Sequence, residues 1–547
     1  MAQTIREKCE RRLQGLKKVR TPYEEEWREI ARYAQPSRSR FLQAEASRIF
    51  KRSNKAVYNS HGILSFRTLA GGMTSGLSSP SRPWFRLKPY DSDLEGDNSI
   101  AEWLAECERR MYAFLAGTNF YTSIRSGYAE LGMFGTSACV MVDHDQVGAV
   151  CHQLTAGEYW IGCGDRAEPD TLYRRVPLTV SQMVQMFPWE RLSTRVQNCY
   201  QNSQYEEVCQ VIHAIEPNDG RDVTKIDGPN KPWRSFYWDT EDGDKVNGYL
   251  RLSGMEEQAF WAPRWEVTGG DAYGTCPGHD SLPDMRELQI QTKRKTEATA
   301  FMVKPEKIAP AAVKLTGQAG NVVAASESDA KAVGVPFQVP YQSIQAIMQD
   351  MDRCSNAVDR LTYADLFMAI TNMQGVQPRN IEEIASRNEE KLTQLGPVIE
   401  RVNTEQLEVV IDRTWGIMSR KGMFPPAPES LQGQAVKVDF VSVLAQMQRM
   451  VGLGQIEKSF AFVQAAMGVD PSAADKIDMD VMIDEYLDRA GAPPKILRGA
   501  EEVKQLREAR AQQQQMAQLA SMMPAAKDGT EALANVAAMG GGMPAGV

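Results

Sequence analysis

The sequence predicts an α+β protein of several structural modules, in which helical regions flank a central group of strands. Apolar residues recur every three or four positions up to residue 134 and again from residue 281 onward, as in amphipathic helices. Between residues 137 and 238, short segments rich in Val, Ile, Cys and aromatic residues alternate with Gly, Asp and Pro, as strands do. The length of 547 residues favours roughly three or four modules.

Composition excludes several classes of protein. The 42% hydrophobic and 24% charged content is typical of globular proteins, no apolar run approaches the roughly 18 residues of a membrane span, and the N-terminal region lacks the apolar core of a secretion signal. Nine cysteines without paired short spacings indicate reduced thiols and assembly in a reducing compartment. A net charge of −8 disfavours a repressor or nuclease with a wide basic face, but it leaves a DNA conduit possible.

The N-terminal third is predicted to be helical up to a buried aromatic anchor. A first helix has Ile5, Cys9, Leu13 and Leu16 on one face, and Thr21-Pro22 is the predicted start of a second helix, which buries Trp27, Ile30 and Ala34. A third helix is expected at 54–69, with Val57, Leu64 and Leu69 buried. The segment 71–87 is predicted to be a flexible Gly and Ser run that ends in the anchor Pro83-Trp84-Phe85.

The remaining elements follow in order along the chain. Helices are predicted at 98–114, 121–134, 179–187, 281–303 and 341–361, and strands at 137–142, 149–154, 171–176, 208–215 and 234–238. A long helical run at 379–420 is expected to bend at Gly396-Pro397. Short helices are predicted at 445–490 and a final one at 500–523, followed by a disordered tail at 524–547.

Motifs for catalysis or cofactor binding are absent from the sequence. It has neither a G-x-x-x-x-G-K-[ST] phosphate loop nor a G-x-S-x-G elbow. Asp143-His144-Asp145 and Cys151-His152 are more typical of a polar hairpin than of a metal site. The acidic pairs Glu382-Glu383 and Glu389-Glu390 favour surface ion pairs over a two-metal nuclease site. We therefore predict a protein that is not an enzyme, with no catalytic, cofactor or metal residues.

One basic cluster, formed by Lys293, Arg294 and Lys295, lies late in the 281–303 helix. Solvated surface is the simpler interpretation. The alternative is light contact with DNA phosphates, if several copies of the helix face a bore.

Five short elements, in order, resemble those of the phage head-to-tail connector (portal) proteins of short-tailed viruses. They comprise Pro83, Trp84 and Phe85; Arg264 and Trp265; Tyr273 and Gly274 followed by Pro277-Gly278; Leu282, Pro283 and Asp284; and Glu383, Arg387 and Glu390 followed by Leu395-Gly396-Pro397. The resemblance covers about residues 20–420. It departs from the family at Asn380-Ile381-Glu382, where a small Thr-Ala-Thr type run is common.

The resemblance implies a dodecameric ring at one capsid vertex of the virion, assembled in the host cytoplasm and not associated with a membrane. Its implied parts are a mixed wing at 1–280, stem helices at 281–303 and 341–365, a clip at 304–340, a tunnel loop at 366–378, a long helix returning to the wing at 379–446, and a helical crown or barrel at 447–523. Candidate channel residues in the tunnel loop are Phe367, Met368, Asn372, Met373 and Gln374, although this segment is equally interpreted as a simple helix connection.

The implied function is a channel for double-stranded DNA during packaging and ejection. Its implied partners are the terminase, which would hydrolyse ATP, the tail adaptor proteins, and the major capsid and scaffolding proteins. The uncharged, flexible Met, Asn and Gln side chains of the tunnel loop suit contact with moving DNA. The alternative is a virion or scaffold protein that uses similar helices for protein contacts without a channel.

Overall fold

The computed structural model describes residues 4–35, 57–91, 98–243, 248–311, 313–314, 325–335, 339–371, 389–431 and 436–445, and shorter pieces at 459–465, 480–483, 486, 503, 506–510 and 512. The chain divides into two compact units, Met1–Gly452 and Leu453–Val547. Mixed helix and sheet in the first unit confirms the α+β prediction.

The helices are α1 (Ile5–Ala34), α2 (His61–Leu77), α3 (Asn98–Gly117), α4 (Phe120–Phe134), α5 (Val180–Met186), α6 (Thr194–Gln201), α7 (Pro277–Asp280), α8 (Leu282–Val303), α9 (Glu327–Ala332), α10 (Tyr341–Leu361), α11 (Ala364–Thr371), α12 (Glu389–Val402) and α13 (Val409–Arg420). The strands are β1 (Phe85–Pro89), β2 (Ala138–His144), β3 (Gly148–Leu154), β4 (Tyr159–Cys163), β5 (Pro169–Thr179), β6 (Val208–Pro217), β7 (Trp233–Asp239), β8 (Arg251–Met255), β9 (Phe260–Trp261) and β10 (Val436–Phe440). A π-helical segment, Asn403–Glu408, joins α12 to α13.

The N-terminal region forms one long helix, so the predicted second start at Thr21-Pro22 is wrong. Helix α1 begins with a capping box, in which the Thr4 hydroxyl accepts from the Glu7 N–H and the Glu7 carboxylate accepts from the Thr4 N–H. Pro22 lies inside the helix although its missing N–H weakens that turn. Buried residues on both sides of it, Leu16 and Trp27, show that tertiary packing outweighs the local cost.

Helix α2 corrects two further expectations. It extends to Leu77, so the Gly and Ser run at 71–77 is helical rather than flexible. Two of its glycines permit close packing, because a Cβ on Gly72 or Gly76 would come within 3.0 Å of the side chains of Phe367 and Leu444 respectively. Leu64, predicted to be buried, is 56% exposed, whereas Leu69 is fully buried as predicted.

Three antiparallel sheets organise the central region. The orders are β4-β5-β6-β7-β8, β3-β2-β9 and β1-β10. The 137–154 hairpin is confirmed as β2 and β3, with His144 paired to Gly148 at its tip. Strand β1 pairs with β10, about 350 residues later in the chain, and Phe85 lies opposite Phe440.

The second half is helical where predicted, with local differences. Helix α10 matches its predicted bounds, and the segment before it contains the short helix α9 and a bridge between Ile308 and Gly334. The long run is helical from Glu389 to Arg420, but the helix continues through Pro397, and the irregularity is the later π-helical segment. Residues 379–388 and 524–547 lie outside the described residues.

The largest hydrophobic core joins the N-terminal helices to the end of the long helical run. It contains Trp84 and Phe85 of the anchor, Phe367 of α11, and residues of α12 and α13 such as Ile399 and Ile417. Each of the nine cysteines is a free thiol. In the described part of the chain, no helix is long and apolar enough to cross a membrane.

Few residues of the second unit are described. Residues 459–465 and 506–510 are helical, and Arg507 forms an ion pair with Asp480. Most of the predicted crown at 447–523 lies outside the described residues.

Candidate functional site: the paired helices and their buried anchors

Helices α8 and α10 lie against each other as an antiparallel pair. The Gln291 amide donates to the Asp350 carboxylate at 3.1 Å, and Arg353 pairs with Glu287 at 3.3 Å. Glu287 precedes Gln291 along α8. The partner of Glu287, however, follows the partner of Gln291 along α10, so the two helices run in opposite directions. Cys354 is fully buried in the seam.

Helices α8 and α10 are held by polar contacts to the start of α2 and to the residues just before it. The Gln289 amide oxygen accepts from the N–H groups of Tyr58 and Asn59 at 2.7 and 2.8 Å. On α10, the Asp359 carboxylate lies 3.0 Å from His61 Nε2 and accepts from the Ser65 hydroxyl at 2.7 Å. These contacts fix both helices relative to α2.

The basic cluster lies on the outer part of α8. Lys293 is exposed, lies 3.9 Å from Glu297 and approaches the Tyr58 ring at 6.0 Å. Arg294 is exposed and Lys295 is half-buried. Since successive helical residues are rotated by about 100°, the three cations point in different directions and do not form one face.

Helix α11 occupies the first part of the segment predicted to be a tunnel loop, so the loop interpretation is wrong for residues 366–371. Phe367 is 1% exposed and belongs to the largest core, where it packs against Gly72. It is therefore a core residue and not a channel residue. Met368, the next residue, is 43% exposed. Asn372, Met373 and Gln374 lie outside the described residues.

The Trp84-Phe85 anchor is buried as predicted, with a network centred on Tyr112. The Tyr112 hydroxyl accepts from the N–H groups of Trp84 and Phe85 at 2.9 and 2.8 Å and donates to the Phe85 carbonyl at 2.7 Å. Burial raises the pKa of Tyr112 above its usual value. Phe85 and Tyr112 ring centroids lie 4.4 Å apart, and Trp84 stacks on Phe120. The anchor thus joins β1 to α3 and α4.

Arg264 forms a buried ion pair with Glu405 of the π-helical segment. The guanidinium approaches the carboxylate at 2.6 and 3.2 Å, and the backbone N–H of Arg264 donates to the same carboxylate at 2.9 Å. Both side chains are almost fully buried. Burial raises the pKa of Glu405, and the hydrogen bonds from Arg264 act in the opposite direction. The neighbouring Trp265 is buried, and its carbonyl accepts from Arg401 at 3.1 Å.

The residues leading into α8 are placed by close backbone packing. Gly274 donates its N–H to the Thr136 hydroxyl at 3.0 Å, and a Cβ there would come within 2.5 Å of the Gly135 carbonyl oxygen. The Tyr273 hydroxyl accepts from the Ile161 N–H at 3.1 Å. In the first turn of α8, Leu282 is buried, Pro283 occupies a position that needs no N–H donor, and Asp284 complements the helix dipole.

One cluster among the described residues brings potential metal ligands together, namely Asp284, Glu287 and Cys354. Glu287 is already paired with Arg353. Burial raises the pKa of the Cys354 thiol to about 11, so the thiolate that a metal requires is scarce near neutral pH. The cluster is better explained as part of the α8–α10 seam.

Some motif residues have no described side chain, and some structural partners were not predicted. Glu383 and Arg387 lie outside the described residues, and Glu390 belongs to α12. Tyr112 and Glu405 were missed because each acts on a residue distant in the sequence. The small residues of α2 were the available signal for the Phe367 contact, since glycines inside a helix often mark a close approach.

Comparison with known proteins identifies a family model and several proteins that this chain is similar to. Residues 6–497 match the family model described as bacteriophage head to tail connecting protein. The portal protein of Salmonella phage epsilon15 is 35% identical over 97% of this chain and 96% of its own length. The probable portal protein of Bordetella phage BPP-1 is 35% identical over 95% of this chain and 94% of its own. A chain of the virion of native gene transfer agent (GTA) particle covers 75% of this chain and 86% of its own length, with 10% identity and a TM-score of 0.31.

Proposed function

Because the chain belongs to the bacteriophage head to tail connecting protein family and functions as a phage portal protein, we propose that twelve copies close into a ring at one capsid vertex. Double-stranded DNA passes through the ring during packaging and ejection. The ring is also the docking platform for the terminase, the tail adaptors and the capsid and scaffolding proteins. ATP hydrolysis belongs to the terminase, and this chain is a conduit rather than an enzyme.

We assign the parts of the ring as the resemblance to the connector family implies. Residues 1–280 form the wing, α8 and α10 form the stem, and 304–340 form the clip between them. The long helical run, with the residues after it to about 446, returns the chain to the wing. Residues 447–523 form the crown.

The observation that carries the ring proposal is the apolar surface of the stem. Several large apolar side chains on the two helices and at their ends remain uncovered in the single chain: Ile290, Phe301, Val303, Tyr341 and Met348. Exposed apolar patches mark interaction sites. A head-to-tail ring buries such patches against a different face of the neighbouring copy.

We assign the start of the tunnel segment to Met368, two residues after the start of the predicted loop at 366–378. Phe367 fixes α11 to α2, whereas the exposed Met368 is available to the channel. We assign the DNA contact to Met368 and to Asn372, Met373 and Gln374. Lys293, Arg294 and Lys295 are secondary candidates, since they do not form one basic face.

The ring is tested by the native mass of the purified protein, together with negative-stain imaging. A mass of twelve subunits and an axial opening as wide as duplex DNA support the proposal. A closed particle without an axial opening would favour the alternative of a structural protein that has no channel.

The tunnel segment is tested by deletion of residues 372–377, which leaves Phe367 in the core. We expect intact rings that retain or pass DNA poorly. The matched control is Phe367→Ala, which perturbs the support of α11 and keeps the length of the segment. Loss of rings in the deletion variant would contradict a tunnel role.

A further inference from the structure

The paired helices α8 and α10 carry opposite charges on their outer faces, the sides of each helix that point away from the seam between them. Gln291 of α8 and Asp350 of α10 contact each other across the seam. Lys293 and Asp352 each follow one of these residues by two positions, which is about 200° around a helix. Both side chains therefore belong to the outer faces, Lys293 on α8 and Asp352 on α10, and both are exposed.

The two charges lie at nearly the same height along the helix pair. Because the helices are antiparallel, the position two residues beyond the seam contact on α10 is level with the position two residues before it on α8. Asp352 is therefore level with Gln289. The Lys293 ammonium reaches back to about that height, since it lies 6.0 Å from the centre of the Tyr58 ring, and the Tyr58 N–H donates to Gln289.

Both charges remain available for a partner. The Asp352 carboxylate has no partner among the described residues. Lys293 lies 3.9 Å from Glu297, too far for a hydrogen bond, and both of these side chains are more than half exposed. Apolar surface adjoins each charge, because the uncovered Met348 lies one turn before Asp352 and the exposed Tyr58 ring lies beside Lys293.

The distribution of charge decides how a second copy can bind. A two-fold contact centred on the outer face of α8 would bring Lys293 against Lys293, and one centred on the outer face of α10 would bring Asp352 against Asp352. A head-to-tail contact instead brings the outer face of α8 against the outer face of α10 in the next copy, and repeated contacts of this kind close into a ring. Since a closed ring has no rise between copies, charges at one height on helices that run along its axis meet.

We propose that Lys293 of one copy forms an ion pair with Asp352 of the next copy, and that the outer faces of α8 and α10 are the two sides of the subunit interface in the stem. The inference rests on the proposed ring and adds the contact that makes its interface head-to-tail. It assigns Lys293 to a protein contact rather than to DNA. Arg294 and Lys295 point in other directions and keep their earlier assignment.

The test reverses the two charges and measures native mass at low and at high salt. Lys293→Glu places two carboxylates at each interface, and Asp352→Lys places two ammonium groups there. An exposed ion pair changes an association constant about 1.4- to 5-fold, and these factors multiply over all the interfaces of a ring. We expect each single variant to lose rings to smaller species at low salt and to recover them in part at high salt, where like-charge repulsion is screened. The Lys293→Glu/Asp352→Lys double variant should form rings like the wild type.

A mixture of the two single variants distinguishes a contact between copies from an effect within one chain. In an alternating ring with an even number of copies, the carboxylate introduced at position 293 faces the ammonium introduced at position 352, and every second interface keeps the native pair. Rings should therefore return on mixing, although neither protein forms them alone. The matched control is Asp145→Lys, which makes the same change of charge in an exposed turn and should leave the rings intact.

The outcomes separate this contact from the proposed ring. Wild-type protein that forms no ring would refute the ring, and the contact with it. Rings that persist at low salt in both single variants would refute the contact alone. Loss of rings in the single variants, without recovery in either the double variant or the mixture, would also refute the contact, because the two positions would then act independently.

Discussion

Two adjacent glycines of α2 offer a sharp test of where α11 lies. A Cβ on Gly71 would have no neighbour within 4 Å, whereas a Cβ on Gly72 would come within 3.0 Å of three carbons of Phe367. Both substitutions to alanine gain the same helix propensity, about 0.5–1 kcal/mol. Only Gly72→Ala overpacks the core, at about 1–3 kcal/mol. Because the propensity gain is common to both, Gly72→Ala should be less stable than Gly71→Ala by the overpacking cost, about 1–3 kcal/mol.

The assay is urea unfolding followed by circular dichroism, at one protein concentration for all variants. The Phe367→Ala background provides a second comparison. Phe367→Ala alone removes about 3–5 kcal/mol of stability by leaving a cavity. Alanine at position 367 keeps its Cβ, which lies within 3.0 Å of a Cβ on Gly72, but it lacks the aromatic carbons, so Gly72→Ala should destabilise this background less than it destabilises the wild type.

Two results would refute the reasoning. One is equal stability of the Gly71→Ala and Gly72→Ala proteins. The other is a change in stability on Gly72→Ala that is equal in the wild type and in the Phe367→Ala background. Either result would mean that α11 does not dock on α2, and the starting point of the tunnel segment would have to be reassigned.

Three further predictions concern the buried polar groups, each measured by the same unfolding assay. Glu405→Gln should cost about 3–5 kcal/mol, because it leaves Arg264 buried without a counter-ion, and a smaller loss than 1 kcal/mol would contradict a desolvated pair. Burial, with the charge of Arg174 second, holds the pKa of His213 well below 6.5, so the folded state binds fewer protons than the unfolded state. The folded state therefore loses up to about 2 kcal/mol of stability from pH 7 to pH 5. His213→Gln should flatten this dependence, and an unchanged pH profile in that variant would contradict the assignment. Tyr112→Phe should cost about 1–3 kcal/mol for each anchor N–H left without an acceptor, and wild-type stability in that variant would exclude the hydroxyl network.

The tautomer of His213 gives that pH dependence its structural cause. Arg174 donates through Nε to His213 Nδ1 at 2.9 Å, so Nδ1 must carry a lone pair, and Nε2 then donates to the Ser235 hydroxyl at 2.9 Å. A second proton would have to sit on Nδ1, directly opposite an N–H of a cation. Protonation therefore breaks this contact as well as burying a charge.

Elements defined by local pattern were predictable from the sequence, and elements defined by distant partners were not. Helix α10 was bounded correctly because its apolar stripe is regular. Strands β1 and β10 were missed because each is five residues long and its partner lies about 350 residues away. The proline of α1 and the glycines of α2 predicted breaks from local propensity, but tertiary packing overrode that preference in both helices.

The same distinction between local pattern and distant partners applies to the residues of the candidate site. The burial of Trp84 and Phe85 was predictable, since large apolar residues follow conformationally restricted prolines. The role of Phe367 was not predictable, because the Met, Asn and Gln residues that follow it in the sequence suggested an exposed loop. The contact that decides its role is made with Gly72, a residue that has no side chain to leave a hydrophobic signal.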